Sequence, residues 1–202
     1  GLLLIWNLGF WRDMIQTLTL VLTASLLAIV IGVPLGICAA ESKSVSAVVK
    51  PLMDFMQTMP AFVYLIPAVA FFGIGMVPGV LASLIFAIPP TVRFTNLGIR
   101  QVSTELVEAA ESFGSTGAQR LFKVELPLAK ATIMAGINQT VMLSLSMVVI
   151  ASMIGAPGLG RNVLSALQRA KIGSGFVSGL ALVVLAIIID RLTQKFSKKS
   201  TS

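Results

Sequence analysis

The sequence contains no histidine, and among its 202 residues there is a single cysteine, Cys38. Without histidine, Ser-His-Asp and Cys-His nucleophilic catalysis are excluded, together with most zinc chemistry. One cysteine in an apolar run supports neither a disulfide framework nor a thiolate metal site. No catalytic residue and no metal ligand is therefore assigned. Charge is scarce as well. Asp, Glu, Lys and Arg make up 11% of the chain, where soluble domains run near 25%. The balance is basic, fifteen Lys and Arg against eight Asp and Glu. Those bases sit in short loops and at the C-terminal end with no aromatic residues interleaved among them, which argues against nucleic acid as a partner.

What the chain has in quantity is apolar surface: 56% of residues are hydrophobic and the mean hydropathy is +0.94. A chain of this size cannot bury so much in a water-soluble core, so the expectation is an all-α, polytopic membrane protein. One crossing takes roughly 20 helical residues. Residues 14–40 carry no charge and read as a first span. Residues 55–92 are also uncharged but too long for one helix, and "GIGMVPG" at 73–79 divides them into a helical pair with a tight turn. A fourth span falls within 131–160, ending at "GAPGLG", and a fifth within 172–189. Three segments follow from this. Residues 1–17, with Trp6 and Trp11, read as the end of a preceding membrane or interfacial segment; residues 18–192 form the transmembrane unit with a polar loop at 98–128; residues 193–202 form a tail. A sequence that starts on Gly1 inside an apolar run reads as lacking some N-terminal residues. Alternate loops divide the Lys and Arg residues eleven to four, which places the loop at 98–128 and the tail in the cytoplasm of a bilayer-embedded protein.

That polar loop is the informative feature. "STELVEAAESFG" at 103–114 predicts a short amphipathic helix capped by Ser103, with Glu105 at the positive end of the helix dipole. Leu106, Ala109, Ala110 and Phe113 recur at helical spacing as one apolar stripe, and Glu105, Glu108 and Glu111 line the other side. Gly114 ends the helix, Thr116 and Gln119 have capping-box spacing, and Pro127 suits the first turn of the next span. A helix lying on an anionic bilayer surface favours Lys and Arg on its polar face. Three glutamates without a base suit a basic protein surface instead.

Glu108-Ala109-Ala110, three residues, Gly114, nine residues, then Val124-Glu125-Leu126-Pro127 resembles the loop that marks bacterial ABC-importer permeases. The resemblance implies the type I importer fold, about five transmembrane helices with a cytoplasmic coupling helix. It also implies that Glu105, Leu106, Glu108, Ala109, Ala110, Glu111, Phe113 and Gly114 dock a cytoplasmic ABC ATPase, with Arg120, Leu126 and Pro127 supporting the loop. ATP and magnesium would be held by that partner and no cofactor by this chain. A second copy of the permease, a homodimer, and a separate or fused extracellular or periplasmic binding protein would complete the system in the bacterial cytoplasmic membrane. Two stretches, 54–75 and 146–168, are similar to permeases for glycine betaine and related quaternary-ammonium osmolytes. An ion-coupled secondary transporter or a partner-gated channel is the alternative. The former calls for a carboxylate at mid-membrane, whereas Asp54 and Asp190 lie at span ends.

Fewer signals concern a solute path. Met56, Tyr64, Asn138, Gln139, Ser144 and Ser146 are candidates to line one; interhelical hydrogen bonding and core filling are the other roles open to them. Phe62, Tyr64, Phe71, Phe72 and Phe86 supply the aromatic faces a quaternary ammonium group would need. Pro60, Pro67, Pro89 and Pro90 mark kinks or path-lining backbone. Gly32 and Gly36 form a GxxxG that permits close helix packing. "GAPGLGRN" at 155–162 has the glycines of a phosphate loop without its lysine and hydroxyl, so it binds no nucleotide.

Overall fold

The computed structural model describes residues 9–201, with side chains described through residue 195; Trp6 and the first residues of the 1–17 segment lie outside them. The first helix, α1, runs Trp11–Glu41 without interruption, so it takes in the last residues assigned to the preceding segment. Its buried residues, Leu20, Val21, Ala24, Ala28, Gly32, Gly36 and Ala39, step along one face at helical spacing, while Leu26 and Val30 on the opposite face are exposed. A helix apolar all round with one small-residue stripe is built to pack in lipid, where close van der Waals contact and not water exclusion drives association.

Ser42 caps the next helix, α2 (Lys43–Thr58), by accepting from the Val45 N–H at 3.4 Å. Pro60 stops the helix, since a proline ring disfavours helical backbone in the residue before it. A single 3₁₀ turn over Ala61–Tyr64 leads into α3 (Leu65–Phe72), and the two halves meet at 108°. The corner is fastened by the Tyr64 hydroxyl, which donates to the Met56 carbonyl. Gly73 and Gly75, at φ +73° and +138°, reverse the chain, and Gly75 N–H bonds the Ile154 carbonyl at 2.9 Å. The turn within 73–79 is thus shorter than the motif suggested. Met76 already begins α4 (Met76–Arg100), and Pro78 sits in its first turn, where no N–H is missed.

After the short α5 (Thr104–Ser112) come α6 (Gly117–Arg120), one π turn at Leu121–Glu125, and α7 (Leu126–Ser152) as a continuous helical run. The fourth span therefore starts well before residue 131 and ends at 152. Residues 153–158 turn, and α8 (Leu159–Gln168) follows as an amphipathic helix that the span assignment did not foresee. The last helix, α9 (Ile172–Thr201), continues through the residues read as a tail.

Four helical runs are long and apolar enough to cross a membrane, and the bent α2–α3 pair makes a fifth. The sequence expectation of about five spans holds, with one of them broken. The bundle centres on α4, which packs most extensively against α1 and α7. Leu20 and Val21 meet Val80, Leu145, Val148, Leu159 and Leu185 in the main core. At the buried Pro89-Pro90 pair, Thr140 donates to the Ala87 carbonyl at 3.1 Å and lies 2.6 Å from the Thr91 hydroxyl, so polar side chains hold α4 to α7 where the proline rings remove backbone donors.

Two ends of the bundle are distinguishable. At one, Asp13 at the start of α1 accepts from Asn162 of α8 at 2.6 Å. Thr17 accepts the Leu159 N–H at 2.9 Å and donates to the Asp13 carbonyl at 2.9 Å. The glycine-rich turn thus presents its helix N-terminus to a protein hydroxyl. Thr17 is fully buried, so Thr17→Val should leave the Leu159 donor unsatisfied and cost about 1–3 kcal/mol. Thermal unfolding of the purified protein in detergent reads this, and Thr19→Val, on an exposed hydroxyl bonded within its own helix, serves as the control.

Candidate functional site

At the opposite end, α5 stands clear of the bundle. None of its residues is buried; Leu106 is 48% and the following Phe113 is 91% exposed. Ser103 occupies the N-cap position, but its side chain makes no capping bond, so the start of the helix rests on Glu105 in the first turn and on the Leu106 and Val107 N–H bonds to the Ser103 carbonyl. The apolar stripe faces outward except near Leu106, which lines a cleft of about 300 Å³ with Gly98, Leu128 and Thr132.

The C-terminal end is closed tightly. Gly114 has φ +79°, its N–H bonds the Glu111 carbonyl at 2.9 Å, and Ser115 N–H bonds the Ala110 carbonyl at 3.1 Å. These two bonds form a Schellman cap, which calls for a left-handed residue where glycine stands. One residue on, Thr116 and Gln119 exchange both bonds of a capping box, at 3.0 and 3.3 Å. The loop that reverses α5 into α6 is therefore specified bond by bond. Below it the helix widens by one residue at the π turn: Leu126 N–H reaches Leu121. Pro127 follows directly, exposed, with Leu126 half-buried, so the proline stands in the first turn of α7, as expected, and the π turn joins that helix to α6 without a break. A local π turn is one way a helix accommodates an interruption of its hydrogen-bond ladder.

Arg120 joins this loop to the bundle. Its Nη1 lies 2.7 Å from Glu111 Oε1, its Nη2 3.0 Å from Glu41 Oε2, and its Nε 3.2 Å from Glu125 Oε1. The third is an ion contact without hydrogen-bond alignment. Glu111 is thus committed within the chain, whereas Glu105 and Glu108 have no side-chain partner among the described residues. Glu41, 79 positions from Arg120, carries no local signal in the sequence, and Glu125 entered only as an unassigned position of the loop motif.

The path candidates do not form one surface. Tyr64 is 4% exposed and packs edge-on against Phe86, ring centroids 5.8 Å apart, while Phe62, Phe71 and Phe72 point outward. Within this chain they make no cage. Met56 lies at the α2–α3 corner. On α7, Ser144 is fully buried, Asn138 is half-buried, Gln139 is exposed, and Ser146 is exposed with its hydroxyl on the Met142 carbonyl at 3.0 Å. Asn138 reaches Asp190 of α9 at 3.4 Å, and Gln194 donates to the same carboxylate at 2.7 Å.

This polytopic helical bundle, with an exposed polar helix between two spans, is that of a transport permease by its sequence family: residues 32–202 match the binding-protein-dependent transport system inner membrane components, and the chain belongs to that family. It is a membrane-spanning subunit of a transport system, not an enzyme. It is 74% identical over all 202 residues to the glycine betaine/carnitine transport permease protein GbuB of Listeria monocytogenes serotype 1/2a (strain 10403S), covering 72% of that protein. It is 60% identical to the glycine betaine transport system permease protein OpuAB of Bacillus subtilis (strain 168), again over 72% of its length. Against the glycine betaine/proline betaine permease protein ProW of Escherichia coli (strain K12) it is 56% identical and spans 57% of the relative. The fold is also that of the MetNI methionine ABC transporter in an inward-facing crystal form, with a TM-score of 0.84 over the whole of both chains at 20% identity.

Proposed function

We propose that this chain is the permease through which an ATP-driven, binding-protein-dependent system imports glycine betaine or a related quaternary-ammonium osmolyte. The observation that carries the coupling role is α5: a helix with no buried residue, bearing Glu108-Ala109-Ala110 and held at its C-terminal end by the Schellman cap, the capping box and Arg120. The small alanines allow a partner chain close approach, and two uncommitted glutamates suit a basic groove. The substrate class is supported by the whole-chain identity to glycine betaine permeases. By the Lys and Arg distribution, α5 and the end of α9 face the cytoplasm, where an ATPase holds ATP and magnesium. Two copies of the permease surround the path, and a loaded binding protein, separate or fused, approaches from the α8 side. Closure of the ATPases draws the two α5 helices together and opens the path outward; hydrolysis resets it. No bond in the substrate is made or broken. Ion-coupled transport is disfavoured because Asp54 is engaged by Arg93 and Asp190 by Asn138 and Gln194.

Uptake of labelled glycine betaine into sealed vesicles containing the whole complex tests this reading. Accumulation is expected with ATP enclosed on the ATPase side and binding protein supplied. Accumulation driven by an ion gradient without ATP would overturn it.

A further inference from the structure

The attachment of α5 to the rest of the chain is narrow. Its packing runs mainly to α6 and the π turn, and its one described side-chain ion pair is Glu111 with Arg120. Arg120 faces two further carboxylates, each on a different element. Glu41 is the last residue of α1, 79 positions away in sequence. Glu125, its side chain only 8% exposed, ends the π turn at the foot of α7. A guanidinium offers five donors in a planar fork and so can address several carboxylates at once, which a lysine ammonium on its flexible stem does less well. Arg120 itself is largely covered, its side chain 22% exposed, so these contacts are screened less than surface pairs. The end of α1 is held a second time, where Arg100 of α4 donates to the Ala39 carbonyl at 3.3 Å. Without the guanidinium, three like charges would converge on one spot and disfavour that arrangement.

Resting on the reading of α5 as the docking helix, we infer that Glu41 and Glu125 are positioning residues which, through Arg120, fasten α5 to α1 and to the foot of α7, so that a displacement of the docked helix reaches two membrane helices together. Glu41 takes no part in docking on this account. Its loss uncouples motion from hydrolysis and leaves the ATPase bound.

The test uses the complete complex in proteoliposomes, with labelled glycine betaine as the probe, comparing wild type, Glu41→Gln and Arg120→Lys. Three quantities are read: ATPase co-purified with the permease, ATP hydrolysed, and substrate accumulated per ATP. Glu41→Gln should retain the ATPase at wild-type stoichiometry and still hydrolyse ATP, while accumulation per ATP falls roughly two- to thirtyfold, the span typical of residues along a coupling network. Arg120→Lys keeps the charge but loses the fork, and should show the same defect. Unchanged accumulation per ATP in both variants overturns the inference. Loss of the ATPase from Glu41→Gln overturns it too, since Glu41 would then act in docking or folding. If the wild-type vesicles themselves fail to accumulate substrate with ATP, the importer reading falls first, and that result is seen before any variant is compared.

Discussion

Glu108→Lys is expected to strip the permease of its ATPase and to lower ATP-driven uptake at least about thirtyfold, the loss that follows when one partner of a close interfacial charge pair is removed or reversed. The geometry makes this substitution clean. Glu108 sits mid-helix in α5, exposed, and its carboxylate has no partner among the described residues; beyond the helix's own backbone bonds its carbonyl accepts from the Ser112 hydroxyl at 2.8 Å. Glu105, Glu108 and Glu111 stand three apart on one helix face, a spacing at which like charges repel by a few tenths of a kcal/mol. A lysine in the middle replaces two repulsions by two attractions, so α5 itself should be slightly more stable in the variant. Lost docking could not then be blamed on a melted helix. Glu111→Lys would be a poorer probe, because it would also break the ion pair to Arg120. The measurement is co-purification of the ATPase with tagged permease at matched membrane levels. Recovery of Glu108→Lys with a full complement of ATPase would remove α5 as the docking element.

Gly36→Leu is expected to abolish the folded bundle. A Cβ at Gly36 would lie 2.6 Å from the Thr95 Cβ and 2.8 Å from the Val92 carbonyl oxygen of α4, and one at Gly32 would lie 2.9 Å from Thr91. The atoms in the way are a branched Cβ and a backbone carbonyl, neither of which can swing aside as a long side chain would. Relief requires α1 and α4 to separate, and α4 is the centre of the bundle. Inside a bilayer the larger side chain gains nothing by burial, since lipid is as apolar as the site. Gly36→Ala should cost about 1–3 kcal/mol, the usual penalty for overpacking, and Gly36→Leu should leave little monodisperse protein after extraction. Gly117, where a Cβ meets nothing within 4 Å, supplies the control: Gly117→Ala should behave as wild type in size-exclusion recovery and thermal unfolding. A Gly36→Leu protein that melts with the wild type would show that the helices do not pack as described.

Local grammar accounts for what was legible in advance. The absence of charge over residues 14–40 and 172–189 fixes spans because charge in hydrocarbon is costly whatever the fold. The turn chemistry at Gly114, Thr116 and Gln119 was readable because each bond of the cap and the capping box joins residues a few positions apart. The same locality explains the partial misses. Ser103 has the right residue type for a cap yet makes no such bond. Pro127 does stand in the first turn of α7, but nothing in the sequence announces the π turn that joins α6 to that helix without a break. Helix α8 went unseen because its apolar residues, Leu159 and Ala166 among them, are too few for a span and are buried only by packing against α9, α7 and α1.

The sequence by itself determined that this is an all-α membrane protein with about five crossings, that one exposed acidic helix interrupts it, and where that helix ends, because hydropathy, net charge and turn chemistry are properties of short segments. Only the tertiary structure decided that the second crossing bends at Pro60, that the polar residues of α7 divide between the interior and an outer face, and that Arg120 gathers Glu41, Glu111 and Glu125. Those features depend on which helix lies beside which, and a contact such as that of Arg120 with Glu41, 79 positions away, leaves no periodic or compositional trace in the chain that makes it.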